Sequence, residues 1–485
     1  MKKVSKYILM VLCLAVMIFS LTACDNFAFT AVDGANADAD TISNGGSVVK
    51  QGDKLYFVNG KTDEKAPNKF GKVEKGAIVR VSVNEDGSLK DDYKVIVPKN
   101  VYSKGGENGK SCGFYIFNDK IYYLTPCDGF DKDDKPLYNT LDVMCANIDG
   151  TGTKKLGFVD ALEFEYKFTA SSFVYFKNNT IFIHNFEDFE NPIKIENVTA
   201  MLLPKTENYN KDTNYVTDYI FYTRALTTEE SDKGHRNNVL CAVKCDGSNQ
   251  IEIVNHNTKV DNKTDTNDST ITLKKYKVFG DSITLYYTRK DADNLLTEKF
   301  CSYTFTLDSL AAAEGKTYFS KDSEKLIYTG AIADFIPYTS DSVLEIKEQK
   351  IVLYKDNSFS LVENTYNKET LKGIFPGTFV ALREEAEGTM MYYSMSNGVY
   401  KFVFAKNNVI AVEAPTLVFE GTLANNVFGN EFIGDYFYFA DATNQNYIGR
   451  INVTKSNTKD DVQFVGVRST EDEIAIQAQK RNEKK

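Results

Sequence analysis

The chain has 485 residues and a net charge of −10, with 29 Tyr, 33 Phe and no Trp. That acidic balance argues against a nucleic-acid partner and against a basic patch docked on anionic lipid. Aromatic and β-branched residues in short runs, broken by Asn, Asp and Gly and holding only 9 Pro, favour an all-β chain.

The first stretch is a basic and apolar leader. Lys2, Lys3 and Lys6 precede an apolar run from Tyr7 to Phe19, which is short for a membrane span. Leu21-Thr22-Ala23-Cys24 closes it. This order of parts resembles the lipobox of bacterial lipoproteins. The resemblance implies a diacylglyceryl group on the Cys24 thiol and cleavage between Ala23 and Cys24, so that residues 1–23 are a signal peptide. An ordinary secretory signal with a chance cysteine, or a retained anchor, are the alternatives. Without the leader's three lysines the chain carries about −13. Such a polar body has no bilayer affinity of its own. Two acyl chains, at about 0.8 kcal/mol per buried methylene, would give stable anchoring. The expected location is the extracytoplasmic face of the cell membrane, held by the lipid.

Residues 24–46 are small and polar without apolar period and are expected to be a flexible tether. Asp38 and Asp40 have the spacing of part of a calcium loop, but the remainder of such a loop is missing.

From residue 47 to 468 one phrase recurs: a turn of Gly, Asp, Asn or Lys, then two or three aliphatic and aromatic residues. Its instances end at Phe57, Tyr123, Ile183, Tyr222, Tyr287, Tyr328, Tyr354, Tyr393 and Tyr438. The two ending at Tyr328 and Tyr354 are close enough to share one unit. A second phrase, a strand-like run into Asp-Gly, occurs at Asp86-Gly87, Asp149-Gly150 and Asp246-Gly247. Asp-Gly between strands is a hairpin turn, because Gly accepts positive φ. A repeat of this length built from antiparallel strands predicts a β-propeller of seven or eight blades, or six if some phrases are second strands. Two packed β-sandwiches are the competing reading. The turn–Ile–Tyr–Tyr phrase with its Asp-Gly hairpin resembles the propeller named after the LDL-receptor-type (YWTD) repeat, in its bacterial lipoprotein form. The resemblance covers roughly residues 47–468, and the full YWTD phrase never occurs because the chain lacks Trp. Residues 469–485 open on a capping-box pattern, Thr470 with Glu473, and predict a short helix or frayed tail.

No catalytic constellation stands out. Gly109-Lys110-Ser111-Cys112-Gly113 matches a nucleophile elbow only formally, since a strand follows it rather than a helix. His184, His235 and His256 lack metal-ligand spacing, and His184 ends an apolar run. No cofactor is expected. Calcium is the one cation the sequence allows, at the acidic loop of Asp128, Asp131, Asp133 and Asp134, which equally reads as a solvated loop. Six cysteines remain besides Cys13 and Cys24: Cys112, Cys127, Cys145, Cys241, Cys245 and Cys301. They allow three disulfides or a set of reduced, buried thiols. Cys112 with Cys127 is the candidate pair, because the two flank one strand–turn unit. Cys241 and Cys245 share a strand face and lie too far apart to bond each other.

These observations lead to a non-catalytic, membrane-anchored propeller that binds polysaccharide, peptide or protein outside the cytoplasm. The alternative is a glycan-active lyase or hydrolase with its site on the propeller axis. A transporter's solute-binding lipoprotein is a third reading, and the chain's lack of helical pattern counts against it.

Overall fold

The computed structural model describes residues 31–60, 75–102, 113–127, 140–160, 166–203, 208–211, 218–229, 238–255, 270–291, 294–319, 324–347, 350–364, 378–395, 397–421, 431–441, 444 and 446–468. Among them the strands form eight sheets, each built mainly from consecutive segments of chain, with Asn208–Tyr209 and Gly315–Phe319 joining sheets made from other stretches.

Blade 1 holds β1 (Thr41–Ile42), β2 (Val48–Gln51), β3 (Lys54–Val58), β4 (Ile78–Ser82) and β5 (Lys94–Val97). Blade 2 holds β6 (Tyr115–Phe117), β7 (Lys120–Pro126), β8 (Thr140–Asn147) and β9 (Lys154–Asp160). Blade 3 holds β10 (Tyr166–Phe168), β11 (Ser172–Lys177), β12 (Thr180–Asn185) and β13 (Asp188–Ile195). Blade 4 starts with β14 (Val198–Leu202) and sends out β15 (Asn208–Tyr209). It continues with β16 (Tyr219–Arg224), β17 (Val239–Lys244) and β18 (Ile251–Asn255). Blade 5 runs through β19 (Thr270–Phe279), β20 (Ser282–Asp291) and β21 (Asn294–Thr306). Helix α1 (Leu307–Ala311) and β22 (Gly315–Phe319) then precede its last strand, β23 (Glu324–Thr329). Blade 6 holds β24 (Phe335–Thr339), β25 (Ser342–Lys347), β26 (Lys350–Lys355) and β27 (Ser358–Leu361). After β28 (Glu363–Asn364), blade 7 holds β29 (Thr378–Glu385), β30 (Gly388–Met395), β31 (Gly398–Lys406), β32 (Val409–Val412) and β33 (Thr416–Glu420). Blade 8 holds β34 (Glu431–Ile433), β35 (Tyr436–Asp441), β36 (Tyr447–Asn452) and β37 (Gln463–Val465).

The strand period explains why the aromatic runs look continuous. Successive side chains point to opposite faces, and a blade inside a ring is covered on both. Leu55 and Phe57 therefore pack toward blade 8, while Tyr56 and Val58 pack toward blade 2. Tyr219 and Phe221 face blade 5, and Ile220 and Tyr222 face blade 3. Each fully buried side chain of this kind contributes about 1.5–3 kcal/mol. Eight buried clusters fill the eight successive blade interfaces, including the one between blades 8 and 1, so the ring closes. The architecture is an all-β, eight-bladed β-propeller.

The three Asp-Gly turns join the third and fourth strands of blades 1, 2 and 4 and share one geometry. Gly87, Gly150 and Gly247 have φ of 78°, 87° and 85°. Their N–H groups donate to the carbonyls of Asn84, Asn147 and Lys244, each at 2.9 Å. The preceding aspartates accept from the backbone N–H of Ser88, Thr151 and Ser248. Glycine meets two demands here: positive φ, and close approach to the preceding blade, where Tyr436, Ile96 and Ile193 stand against the turns.

The recurring phrase marks no single strand position: those ending at Phe57, Tyr123, Tyr222, Tyr287, Tyr393 and Tyr438 are second strands, and the one ending at Ile183 is the third strand of blade 3. Two expectations change. The phrases ending at Tyr328 and Tyr354 belong to blades 5 and 6, and their rings meet edge-on across the interface at 4.9 Å. The stretch expected as a tether is docked over its described part. Thr41 is fully buried in β1, and the buried Asn44 side chain pairs with both backbone groups of Ile116. Its small and amide side chains fit the narrow gap between blades 1 and 2. Residues 1–30 and the tail at 469–485 lie outside the described residues.

Candidate functional site

The axial side of blade 1 is where the structure concentrates unusual polar contacts. Strand β1 adds to the inner edge of β2, antiparallel, with Thr41 opposite Gln51. Strand β15, from the connection between the first two paired strands of blade 4, then adds to β1. Blade 1 thereby gains two strands directed at the ring's axis. Tyr209 of β15 meets Phe117 of blade 2 edge-on at 4.9 Å. The next two residues reach the N-terminal stretch: Asn210 Nδ2 donates to Asp40 Oδ1 at 2.6 Å, and Lys211 pairs with Asp38. Asp38 and Asp40, spaced like calcium ligands, are thus engaged by protein donors.

At the other end of the same strand pair, Glu431 of blade 8 accepts from Ser47 N–H at 2.7 Å, Val48 N–H at 2.8 Å and the Ser47 hydroxyl at 3.3 Å. Burial pushes its carboxyl up to about 8, against the opposing pull of these donors. The chain is packed too tightly here for another side chain, since a Cβ on Gly46 would overlap the carboxylate. This group can exchange a proton near neutral pH, and its partners are the first residues of blade 1.

A second buried ionisable group is one that the sequence analysis did not single out. Lys167 on β10 is 2% exposed, between blades 3 and 4. Burial pushes its ammonium below the ordinary lysine range, with Cys245 and Asp218 as the opposing neighbours. Burial likewise lifts the Asp218 carboxyl, and it lifts the Cys245 thiol to about 12. The alternation of β10 could have signalled it: Tyr166 and Phe168 face blade 2, which turns the residue between them into the opposite interface.

His184 is buried in blade 3 between the rings of Tyr175 and Phe189. Its Nδ1 lies 2.7 Å from the Phe189 carbonyl and so carries the proton. Burial lowers its pKa, which keeps the ring neutral and structural. Cys241 and Cys245 fall in one buried cluster, as their spacing predicts. Cys127 closes β7, its N–H donating to Thr140 O at 3.0 Å. Its expected partner Cys112, the lipidation residue Cys24 with Ala23, His235, His256, and Asp128, Asp131, Asp133 and Asp134 lie outside the described residues. Among the described residues no group of three or more His, Cys, Asp or Glu could hold a metal ion. No described helix is long and apolar enough to cross a membrane.

No protein-family model matches the sequence, and no curated protein matches it. Solved structures similar to it include a prolyl endopeptidase, at 11% identity and a TM-score of 0.36, covering 88% of this chain and 50% of that one. The chain thus spans half the length of that enzyme. The β-propeller domain of the trilobed protease from Pyrococcus furiosus is 8% identical, with a TM-score of 0.31, covering 84% and 94% of the two chains. An uncharacterized protein from Listeria monocytogenes is 9% identical, with a TM-score of 0.31, covering 73% and 92%.

Proposed function

We propose that this chain is a lipid-anchored interaction propeller working on the extracytoplasmic side of a membrane. The observation that carries the reading is the leader, Lys2 to Cys24, with its lipobox-like close at Leu21-Thr22-Ala23-Cys24. The path of the chain would set the orientation of such an anchored ring. Val32 N–H donates to Asp149 O, on the face that carries the Asp-Gly turns. Seven residues lie between Cys24 and Val32, which makes eight steps of at most about 3.5 Å each. A lipid on Cys24 therefore holds that face within roughly 28 Å of the bilayer and leaves the outer wall and the opposite face open to polysaccharide, peptide or protein. The likeness of the repeat phrase to the LDL-receptor-type propeller agrees with a binding role rather than supplying a ligand.

The test is metabolic labelling with an alkyne palmitate in cells making the wild-type chain or Cys24→Ala. Label on the wild type, lost in the variant while the uncleaved precursor accumulates, is the expected outcome. Equal label, or none, in both chains would remove the anchor and leave a freely secreted propeller.

A further inference from the structure

The outer strand of each blade exposes one backbone edge, and unprotected edges recruit other strands. This protein guards nearly all of them. Strands β5, β9 and β23 carry Lys or Glu, β13 carries charge and a proline, and β33 carries Glu420. Strand β18 is covered by β22 and β32 by β28, both in parallel register. Strand β37 has no charge, but Arg468 lies 4.2 Å over its Phe464 ring. Phe158 on β9 is similarly covered by Lys155. Among the described outer strands, β27 alone lacks charge, proline and cover by another described strand or side chain. Its sequence is Ser-Phe-Ser-Leu and all four residues are exposed, with Phe359 at 61% and Leu361 at 52%.

The free groups on β27 can be named. Val362 N–H donates to Ile351 O, so the inward bonds fall on alternate residues, 358, 360 and 362. Among the described residues nothing bonds the N–H and C=O of Phe359 and Leu361, which point to the outer edge. Their side chains lie on one face, where Phe359 meets the rings of Tyr328 and Tyr354, each at 6.2 Å. Backbone donors and acceptors beside an apolar strip are what a docking strand requires.

We propose that the open edge of β27 takes an extended segment of a partner protein as a fifth strand of blade 6, with uncharged, apolar side chains at alternate positions over Phe359 and Leu361. The protein itself shows the geometry twice, in β22 on blade 4 and β28 on blade 7. A second copy of the chain is the poorer occupant. Four residues span about 13 Å, which buries far less than the roughly 1,200 Å² that a stable interface between two rigid rings needs. The inference deepens the interaction reading above, yet it does not depend on the anchor, so labelling at Cys24 and binding at β27 can fail separately.

The probe is a fluorescent octapeptide of alternating Val and Thr with a terminal Lys pair, titrated into the full chain in detergent by anisotropy. Its partner probe carries N-methyl groups on alternate residues, which removes the pairing donors. Saturable binding that weakens tenfold or more with Leu361→Lys and with N-methylation, but not with Phe158→Lys, is the expected result. Phe359→Ser is the second variant, and an unchanged melting curve confirms that each folds, since both residues are exposed. No saturable binding, or binding indifferent to Leu361→Lys, overturns the proposal. So does a dimer in sedimentation that Leu361→Lys converts to monomer, which would assign the edge to a second copy.

Discussion

The ring has two contrasting seams. Between blades 4 and 5 the chain is continuous, and β22 crosses from blade 5's connection to pair with β18 over five residues. The cluster there includes Leu307 and Leu310 of helix α1 and the stacked rings of Phe221 and Phe305, 5.4 Å apart. Between blades 8 and 1 no described strand crosses: blade 8 is built from the C-terminal part of the chain, and blade 1 from the N-terminal part with β15 added from blade 4. That seam is joined by a smaller cluster and by side chains that bond backbone across it. Arg450 donates to Gly87 O at 2.8 Å, Asn59 bonds both backbone groups of Val467, and Glu431 receives Ser47 and Val48. Where a ladder cannot tie two blades, polar side chains imitate one. Such bonds are lost one residue at a time, whereas a shared strand is not.

The largest effect is expected at the continuous seam. Phe305→Ala removes a fully buried ring and should cost about 3–5 kcal/mol in denaturant unfolding. The loss should be global, with no local opening, because β22 still holds the two blades together. Arg450→Met should cost about 3 kcal/mol. It removes bonds to Gly87 O, Gln463 and Tyr438 and the guanidinium stacked 4.0 Å over Tyr436, and it leaves the buried Tyr438 hydroxyl without that donor. Here hydrogen exchange should quicken first in β2, β3 and β34–β37. Equal, global exchange in both variants would erase the contrast between the seams.

The propeller was largely legible, and its closure was not. Residues 55–57, 121–123 and 436–438 were legible as strands because alternate residues face two buried interfaces. The same runs at 181–183 and 351–354 are third strands. These too are covered on both faces, so hydrophobicity alone cannot rank strands within a blade. The Asp-Gly turns were legible because one glycine and one aspartate suffice to build them locally. Arg450, Glu431 and Asn59 gave no signal. Their partners are 363, 384 and 408 positions away, and a polar residue inside a strand run reads as an outward one. Asn44 misled for the same reason, as an amide in a polar stretch that pairs with Ile116 across the gap.

A smaller effect should follow pH at the same seam. The Glu431 carboxyl is raised from 4.5 to about 8 in the folded chain. The unfolded chain therefore ionises first, and folding holds the proton. Stability from this group is complete below about pH 4.5, falls as pH rises toward 8, and is flat beyond. Residual exposure discounts the full shift to something on the order of 2 kcal/mol. Glu431→Gln should flatten the profile of unfolding midpoints between pH 5 and 8. A slope unchanged in that variant would mean that another group titrates there.

The smallest effect sets the closing seam against the ordinary one between blades 3 and 4. Gly87 and Gly247 occupy the same turn with nearly equal φ, 78° and 85°. Alanine at either should cost the same backbone strain, about 1 kcal/mol. What differs is the neighbour. At Gly247 a Cβ meets the far methyl of Ile193, a 39% exposed side chain that can swing away. At Gly87 it would lie 2.6 Å from Cε2 of Tyr436, a ring under the Arg450 guanidinium and unable to retreat without releasing it. Gly87→Ala should therefore be about 1 kcal/mol more destabilising than Gly247→Ala, and the gap should vanish in an Arg450→Met background, where the ring is free to move. A gap that persists there would place the rigidity in the turn itself rather than in the latch that closes the ring.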